Sequence, residues 1–185
     1  MRKKVLLTIA LMTAAGSALA ASPFTLRADD LNHGHFLPSQ VLSADYGFGC
    51  EGGNQSPALS WKNPPAGTKS FVLTIHDPDA PTGIGWMHWV IANIPASARS
   101  LPAGITADGK NLPAGALQTR TDGGKPGYMG ACPPKGQKHR YVITLTALKV
   151  AELPGITAES MPALIGFMTG ANALGRARVT VIHAR

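Results

Sequence analysis

Beyond its first 20 residues the chain has no apolar run long enough to cross a bilayer, which takes about 20 consecutive apolar residues. Charged residues are scarce, at 15%, against 44% hydrophobic. Those proportions exclude a disordered chain and leave enough apolar material for a sizeable core. There is no arginine-rich stripe and no interleaving of basic with aromatic residues, so nothing recommends a nucleic-acid partner. No His-Glu-x-x-His helix, Gly-x-Ser-x-Gly elbow or phosphate-cradling Gly-x-x-x-x-Gly-Lys-Ser/Thr loop occurs, so the common routes to hydrolysis lack their signatures. Internal repeats, heptads and low-complexity blocks are also missing. With 185 residues, the chain is expected to carry one domain.

Cysteine is limited to Cys50 and Cys132. An even pair in an exported protein is expected to form a disulfide, with two free thiols as the alternative. Export is what the first residues suggest. Arg2, Lys3 and Lys4 precede an apolar stretch from Val5 to Ala15, and Ala18-Leu19-Ala20 offers the small residues a signal peptidase needs. Cleavage near Ala20 would leave a domain over 21–185, periplasmic or secreted. It would also remove three positive charges, so the net charge falls from +7 to +4.

The 15 prolines and 21 glycines are scattered between short apolar runs, the pattern of many turns joining short strands. Phe71–Ile75, Trp86–Ile94, Arg140–Leu148 and Arg178–His183 read as strands. One helix is expected to start near Thr157 or Ala158, with Met161, Leu164, Ile165 and Met168 on one apolar face. Thr157 with Ser160 would cap it and Gly170 would stop it. The fold class expected is mostly β with one or two peripheral helices.

Three segments place polar groups at strand ends. In Asp77-Pro78-Asp79-Ala80-Pro81 the prolines stiffen a turn, and Asp77 shares a strand face with Leu73 and Ile75. A carboxylate on an apolar face needs a partner or a pocket. Asp79 is open to two readings, a turn-capping carboxylate or a pocket residue. In Trp86-Met87-His88-Trp89-Val90, strand alternation puts His88 on one face with Trp86 and Val90. Taken alone, it reads as a hydrogen-bonded core histidine. The third segment, Tyr128 to Gly136, leads into His139-Arg140-Tyr141, with His139 and Tyr141 on one face. Two histidines, a tyrosine and a carboxylate would suit an oxyanion, with the carboxylate orienting an imidazole and holding it protonated. Affinity would then weaken as pH rises through the raised imidazole pKa. The enzymatic alternative would enlist Asp77, Asp79, His88 and His139 as metal ligands, or Cys132 as a nucleophile.

In combination these segments identify a likeness. The sequence resembles the phosphatidylethanolamine-binding protein family, also called Raf-kinase-inhibitor-like, in its bacterial branch. The same likeness covers Asn54-Gln55-Ser56-Pro57 with Leu59 and Trp61, and Pro65 to Ser70. It implies a sandwich-like core of two antiparallel β-sheets and a pocket for a small anion or phosphorylated headgroup. Asp77, His88, His139 and Tyr141 would supply its polar groups, Pro133 with its loop one wall, and Trp86 and Asp79 further contacts. No catalytic residue, metal or cofactor is implied. A homodimer and an unidentified protein target are further expectations. The chain departs from the eukaryotic pattern in placing Cys132 before Pro133-Pro134, and in a spacing from Pro134 to His139 that is one residue shorter.

Overall fold

A computed structural model describes residues 22–31 and 33–185. The expected leader and its cleavage point lie outside the described residues. Among the described residues, eight strands and one α-helix follow in the order β1 (Thr25–Ala28), β2 (Leu59–Lys62), β3 (Ser70–Asp77), β4 (Trp86–Pro95), β5 (Ser100–Leu101), β6 (Leu117–Gln118), β7 (Lys138–Leu148), α1 (Pro162–Asn172) and β8 (Ala173–Ala184). They form a three-stranded sheet, β1-β2-β5, and a five-stranded sheet, β6-β4-β3-β7-β8. All strand pairs are antiparallel. The mostly-β, two-sheet architecture with a peripheral helix is therefore as expected.

The core lies between the sheets. Leu26, Leu59 and Trp61 from the small sheet meet Phe71, Leu73, Ile75, Trp89, Tyr141, Ile143 and Leu145 from the large one. A second, smaller cluster fills the other face of the large sheet, where Val72, Val90 and Ala92 pack beneath Ile165 of α1. Strand β3 is thus buried on both faces, which accounts for its nearly continuous apolar run. Because Leu73 and Ile75 face the inter-sheet core, Asp77 at the end of the same face is carried to the core's rim.

Two expectations need correction. The helix starts at Pro162, not at Thr157 or Ala158. Thr157 and Ser160 instead close a separate turn, in which the Thr157 amide donates to Ser160 Oγ at 3.0 Å and the Ser160 amide to the Thr157 carbonyl at 3.0 Å. Pro162 takes the first helical position, where a missing N–H costs nothing. Gly170 does not end the helix, which continues to Asn172 and runs directly into β8. Ile165 and Thr169 are its buried residues, while Met161 and Leu164 stay exposed, so the buried stripe is rotated from the one expected. The closing strand begins at Ala173, five residues before Arg178, and pairs with β7 along nearly all its length.

Candidate functional site

Three neighbouring strands, β4, β3 and β7, bring His88, Asp77 and the pair His139 and Tyr141 to one end of the inter-sheet core. A cavity of about 220 Å³ lies there, walled by Leu42, Phe48, Met129, Gly130, Cys132 and Pro134. Trp86, Ala80, Pro81 and Thr82 complete its lining. Most of the wall is apolar, and the polar atoms gather where the strands end.

His88 reaches this cavity through a break in the strand. The register runs from Ile75 opposite Trp89 to His76 opposite Met87, leaving His88 as an extra residue in β4. Such a bulge re-aims a side chain. His88 therefore lines the cavity with Trp86, as expected, but Val90 points the other way into the cluster under α1. Unbroken alternation, the basis of the expected shared face, does not hold here.

The His88 ring is almost fully buried, and its Nδ1 lies 2.8 Å from the Met129 carbonyl oxygen. A carbonyl can only accept, so Nδ1 carries a proton. Burial lowers the imidazole pKa to about 4, against the smaller opposing pull of the Met129 carbonyl and the Asp77 charge. The charge of Asp77 does pull the His88 pKa upward, but desolvation outweighs it, so His88 is not an imidazole that this carboxylate holds protonated.

This depression has a consequence for stability. The unfolded chain binds the His88 proton below its ordinary value of 6.5, and the folded chain only below about 4. His88 thus contributes stability that is complete above pH 6.5 and is lost as pH falls towards 4. The predicted loss between neutral pH and pH about 4.5 is roughly 2.5 kcal/mol. Urea unfolding of the wild type and a His88→Gln variant at both pH values would check it. Equal pH slopes in the two proteins would remove His88 as the cause.

Asp77 and His139 form a buried pair, with Nδ1 of His139 donating to Asp77 Oδ2 at 2.7 Å. The other oxygen of Asp77 accepts from the Asp79 amide at 2.8 Å, so one carboxylate fixes both the turn and the ring. His139 Nε2 lies 2.9 Å from Gln137 Oε1, which leaves both ring nitrogens occupied within the protein. Tyr141 stacks edge-on against His88, with centroids 5.0 Å apart, and against Phe36 at 5.3 Å. Burial and the negative charge of Asp77 push its phenol well above the ordinary tyrosine pKa.

The loop wall is held from behind. Asn54 donates from Nδ2 to the Tyr128 carbonyl at 3.1 Å and accepts the Gly130 amide at 2.8 Å. The Tyr128 hydroxyl donates to the Gln40 carbonyl at 2.8 Å. Gly130 is required here, since a Cβ would lie 2.4 Å from the Leu42 nitrogen and 2.6 Å from the Gln40 oxygen. Cys50 and Cys132 are joined by a disulfide, with Cα atoms 6.0 Å apart, tying the Phe48 loop to this wall. The Arg185 guanidinium backs the same junction, donating to the Phe48 carbonyl at 3.1 Å and to the Gly49 carbonyl.

Two expected residues lie elsewhere. Asp79 is outside the cavity, where Oδ2 accepts from the Arg140 amide at 2.8 Å and from its Nε at 2.9 Å. Arg140 holds the Asp79 carboxyl down at about pKa 2, below the usual range. Asp79 is therefore a clamp between the turn and β7. Pro133 is buried beside the cavity, whereas Pro134 lines it. Sequence reading passed over Leu42, Phe48 and Met129, because apolar residues in loops carry no signal of a shared wall.

The description "Phosphatidylethanolamine-binding protein" belongs to the family model that matches residues 28–184. The chain belongs to this family. Among its relatives, Escherichia coli YbcL is 46% identical over 166 residues, covering 88% of each chain. Escherichia coli YbhB is 46% identical over 159 residues, covering 86% of this chain and 99% of its own. The crystal structure of YbcL, described as a new member of the mammalian PEBP family, superposes with a TM-score of 0.83 at 44% identity. That match covers 89% of this chain and 99% of YbcL. A Mycobacterium tuberculosis relative, LppC, is named as a lipoprotein and is 38% identical over 139 residues, 74% of this chain and 62% of its own.

Proposed function

We propose that this phosphatidylethanolamine-binding protein family member is a non-catalytic, extracytoplasmic binding protein whose cavity takes a small phosphate-like oxyacid or a phosphorylated headgroup. The observation that carries this reading is the convergence of Asp77, His88, His139 and Tyr141 on one cavity at the end of the core. A volume of about 220 Å³ suits a headgroup rather than a whole lipid, and the apolar wall would shelter its hydrogen bonds from water. Catalysis by Cys132 is disfavoured, since a sulfur held in a disulfide with Cys50 is not a nucleophile. The same disulfide, together with the lipoprotein name of LppC, supports a location outside the cytoplasm.

Calorimetric titration with phosphate and phosphoethanolamine tests the site. The wild type should bind, and a His88→Ala, His139→Ala double variant that remains folded by circular dichroism should lose at least about tenfold in affinity. Unchanged affinity in that variant would remove the proposed cavity.

A further inference from the structure

A surface helix ordinarily turns its apolar residues inward and its charged ones outward, and α1 does not. From Met161 to Gly175 the sequence carries no charged residue. The helix buries only Ile165 and Thr169. Its outer side is apolar as well: Leu164, Phe167 and Ala171 recur at helical spacing along one exposed ridge, and the Phe167 ring is 78% exposed. Met161 just ahead of the helix and Leu174 just behind it are also exposed. Nothing rises beside the ridge, since a Cβ added at Gly166 or Gly170 would meet no atom within 4 Å. Positive charge lies next to it. Ala177 and Val181 of β8 are buried in the inter-sheet core, so Arg176 and Arg178 turn to the opposite face, the one α1 covers. Lys149 stands at the end of the helix, where its amide donates to the Asn172 carbonyl at 3.0 Å. All three cations are exposed, and none has an ion-pair partner among the described residues. The segment between β7 and α1 holds two carboxylates, of which Glu159 is paired with Arg120, leaving Glu152.

We propose that α1 is a docking ridge for the surface of an anionic bilayer, with Phe167 and Leu164 seated among the lipid headgroups and Arg176, Arg178 and Lys149 on lipid phosphates. At 11 residues the helix is too short to span a bilayer, which takes about 20, so the contact is interfacial. A helix lying in that plane sinks its apolar side about 5–10 Å into the headgroup boundary, and flanking lysines and arginines add attraction to anionic lipid. A second copy of the chain fits this ridge less well. One phenyl, one thioether and two leucyl groups expose on the order of 400 Å², half of the roughly 800 Å² that each partner gives to a stable interface. Two such ridges brought together would also gather six cations around two free carboxylates. A folded protein partner would need a groove shaped to receive a convex ridge, whereas lipid deforms around it. The ridge lies on the outer face of the large sheet, and the cavity at the end of the inter-sheet core. The inference is therefore independent of what the cavity binds.

A chain beginning at Ala21 keeps the described core and removes the apolar Val5–Ala15 run as a source of binding. Vesicles of phosphatidylcholine with about one-third phosphatidylglycerol should carry this chain up in a flotation gradient, with a partition coefficient at least about tenfold above that for phosphatidylcholine alone. Phe167→Ser should lower that coefficient about tenfold. Replacing both arginines, Arg176→Gln with Arg178→Gln, should lower it about 10- to 30-fold on the anionic vesicles and leave the neutral ones unaffected. All three positions are exposed, so urea unfolding of the variants should match the wild type. Phe167→Trp gives a local signal, since its emission should shift to the blue on anionic vesicles while that of the native Trp61, Trp86 and Trp89 stays in place. No flotation with anionic vesicles, or flotation of the Phe167→Ser and double-arginine variants equal to the wild type, would overturn the inference. So would a lipid-free dimer in sedimentation velocity that Phe167→Ser takes apart, because the ridge would then be a contact between subunits.

Discussion

Replacing Asp77 with alanine is expected to cost about 3–5 kcal/mol of folding stability and to abolish binding in the cavity. The side chain is almost entirely buried, and each oxygen has a separate task. One accepts from His139 at 2.7 Å and the other from the Asp79 amide at 2.8 Å. Alanine leaves a buried imidazole N–H and a backbone amide without acceptors, and each orphan costs about 1–3 kcal/mol. Water would relieve part of that cost by entering from the cavity, but would occupy the space a ligand needs. Asp77→Asn supplies the control, because its amide oxygen can still accept from the Asp79 amide. His139 can answer the new Nδ2 donor by presenting an unprotonated Nδ1, so the cost should drop to about 1–2 kcal/mol. Urea unfolding of the two variants beside the wild type checks the ordering. A loss below about 1 kcal/mol for Asp77→Ala would mean that the pair holds neither the ring nor the turn.

The two variants also bear on how much of this site could be read from residues in order. Asp77, His139 and Tyr141 were legible because each follows unbroken alternation from a core-facing position: Leu73 and Ile75 before Asp77, and Ile143 and Leu145 beyond Tyr141. Their assembly across adjacent strands then depends only on β3 and β7 pairing, with His76 opposite Val142. His88 was legible as a cavity residue only through the family likeness. Its bulge is a property of the register between two strands, and a single strand's pattern does not contain it. Its neutral state was hidden for a related reason, since desolvation depends on what covers the ring. The covering comes from the loop at Met129 and from Tyr141, which are distant in sequence. Asp79 shows the opposite limit. Its neighbours in sequence resemble those of Asp77, but it lies beyond the strand's end, where Arg140 can reach it from the surface. The helix was misplaced by five residues because Thr157 and Ser160, good capping residues, close a turn of their own before Pro162.

Removing the disulfide should be the second large effect. Cys50 and Cys132 are 82 residues apart, and closing a loop of that length restricts the unfolded chain by about 4 kcal/mol on the chain-entropy account. A Cys50→Ala, Cys132→Ala variant is expected to lose about that much in urea unfolding, and reduction of the wild type should reproduce the loss. Both cysteines pack with Leu42, Met129 and Trp86, so the substitution also loosens the cavity wall. Asn54, Tyr128 and Arg185 still hold the loops by hydrogen bonds, so the folded fraction should keep its secondary structure and bind more weakly. The outcome bears on location as well as mechanics. A domain of this size is stable by about 5–15 kcal/mol, so a loss of 4 can consume much of its margin. A fold that lost that much without one disulfide would fit the oxidising side of a membrane, where thiol reductants do not reach it. If the reduced protein unfolds within about 1 kcal/mol of the oxidised form, the loops are secured by their hydrogen bonds alone. The disulfide would then lend no weight to an extracytoplasmic site.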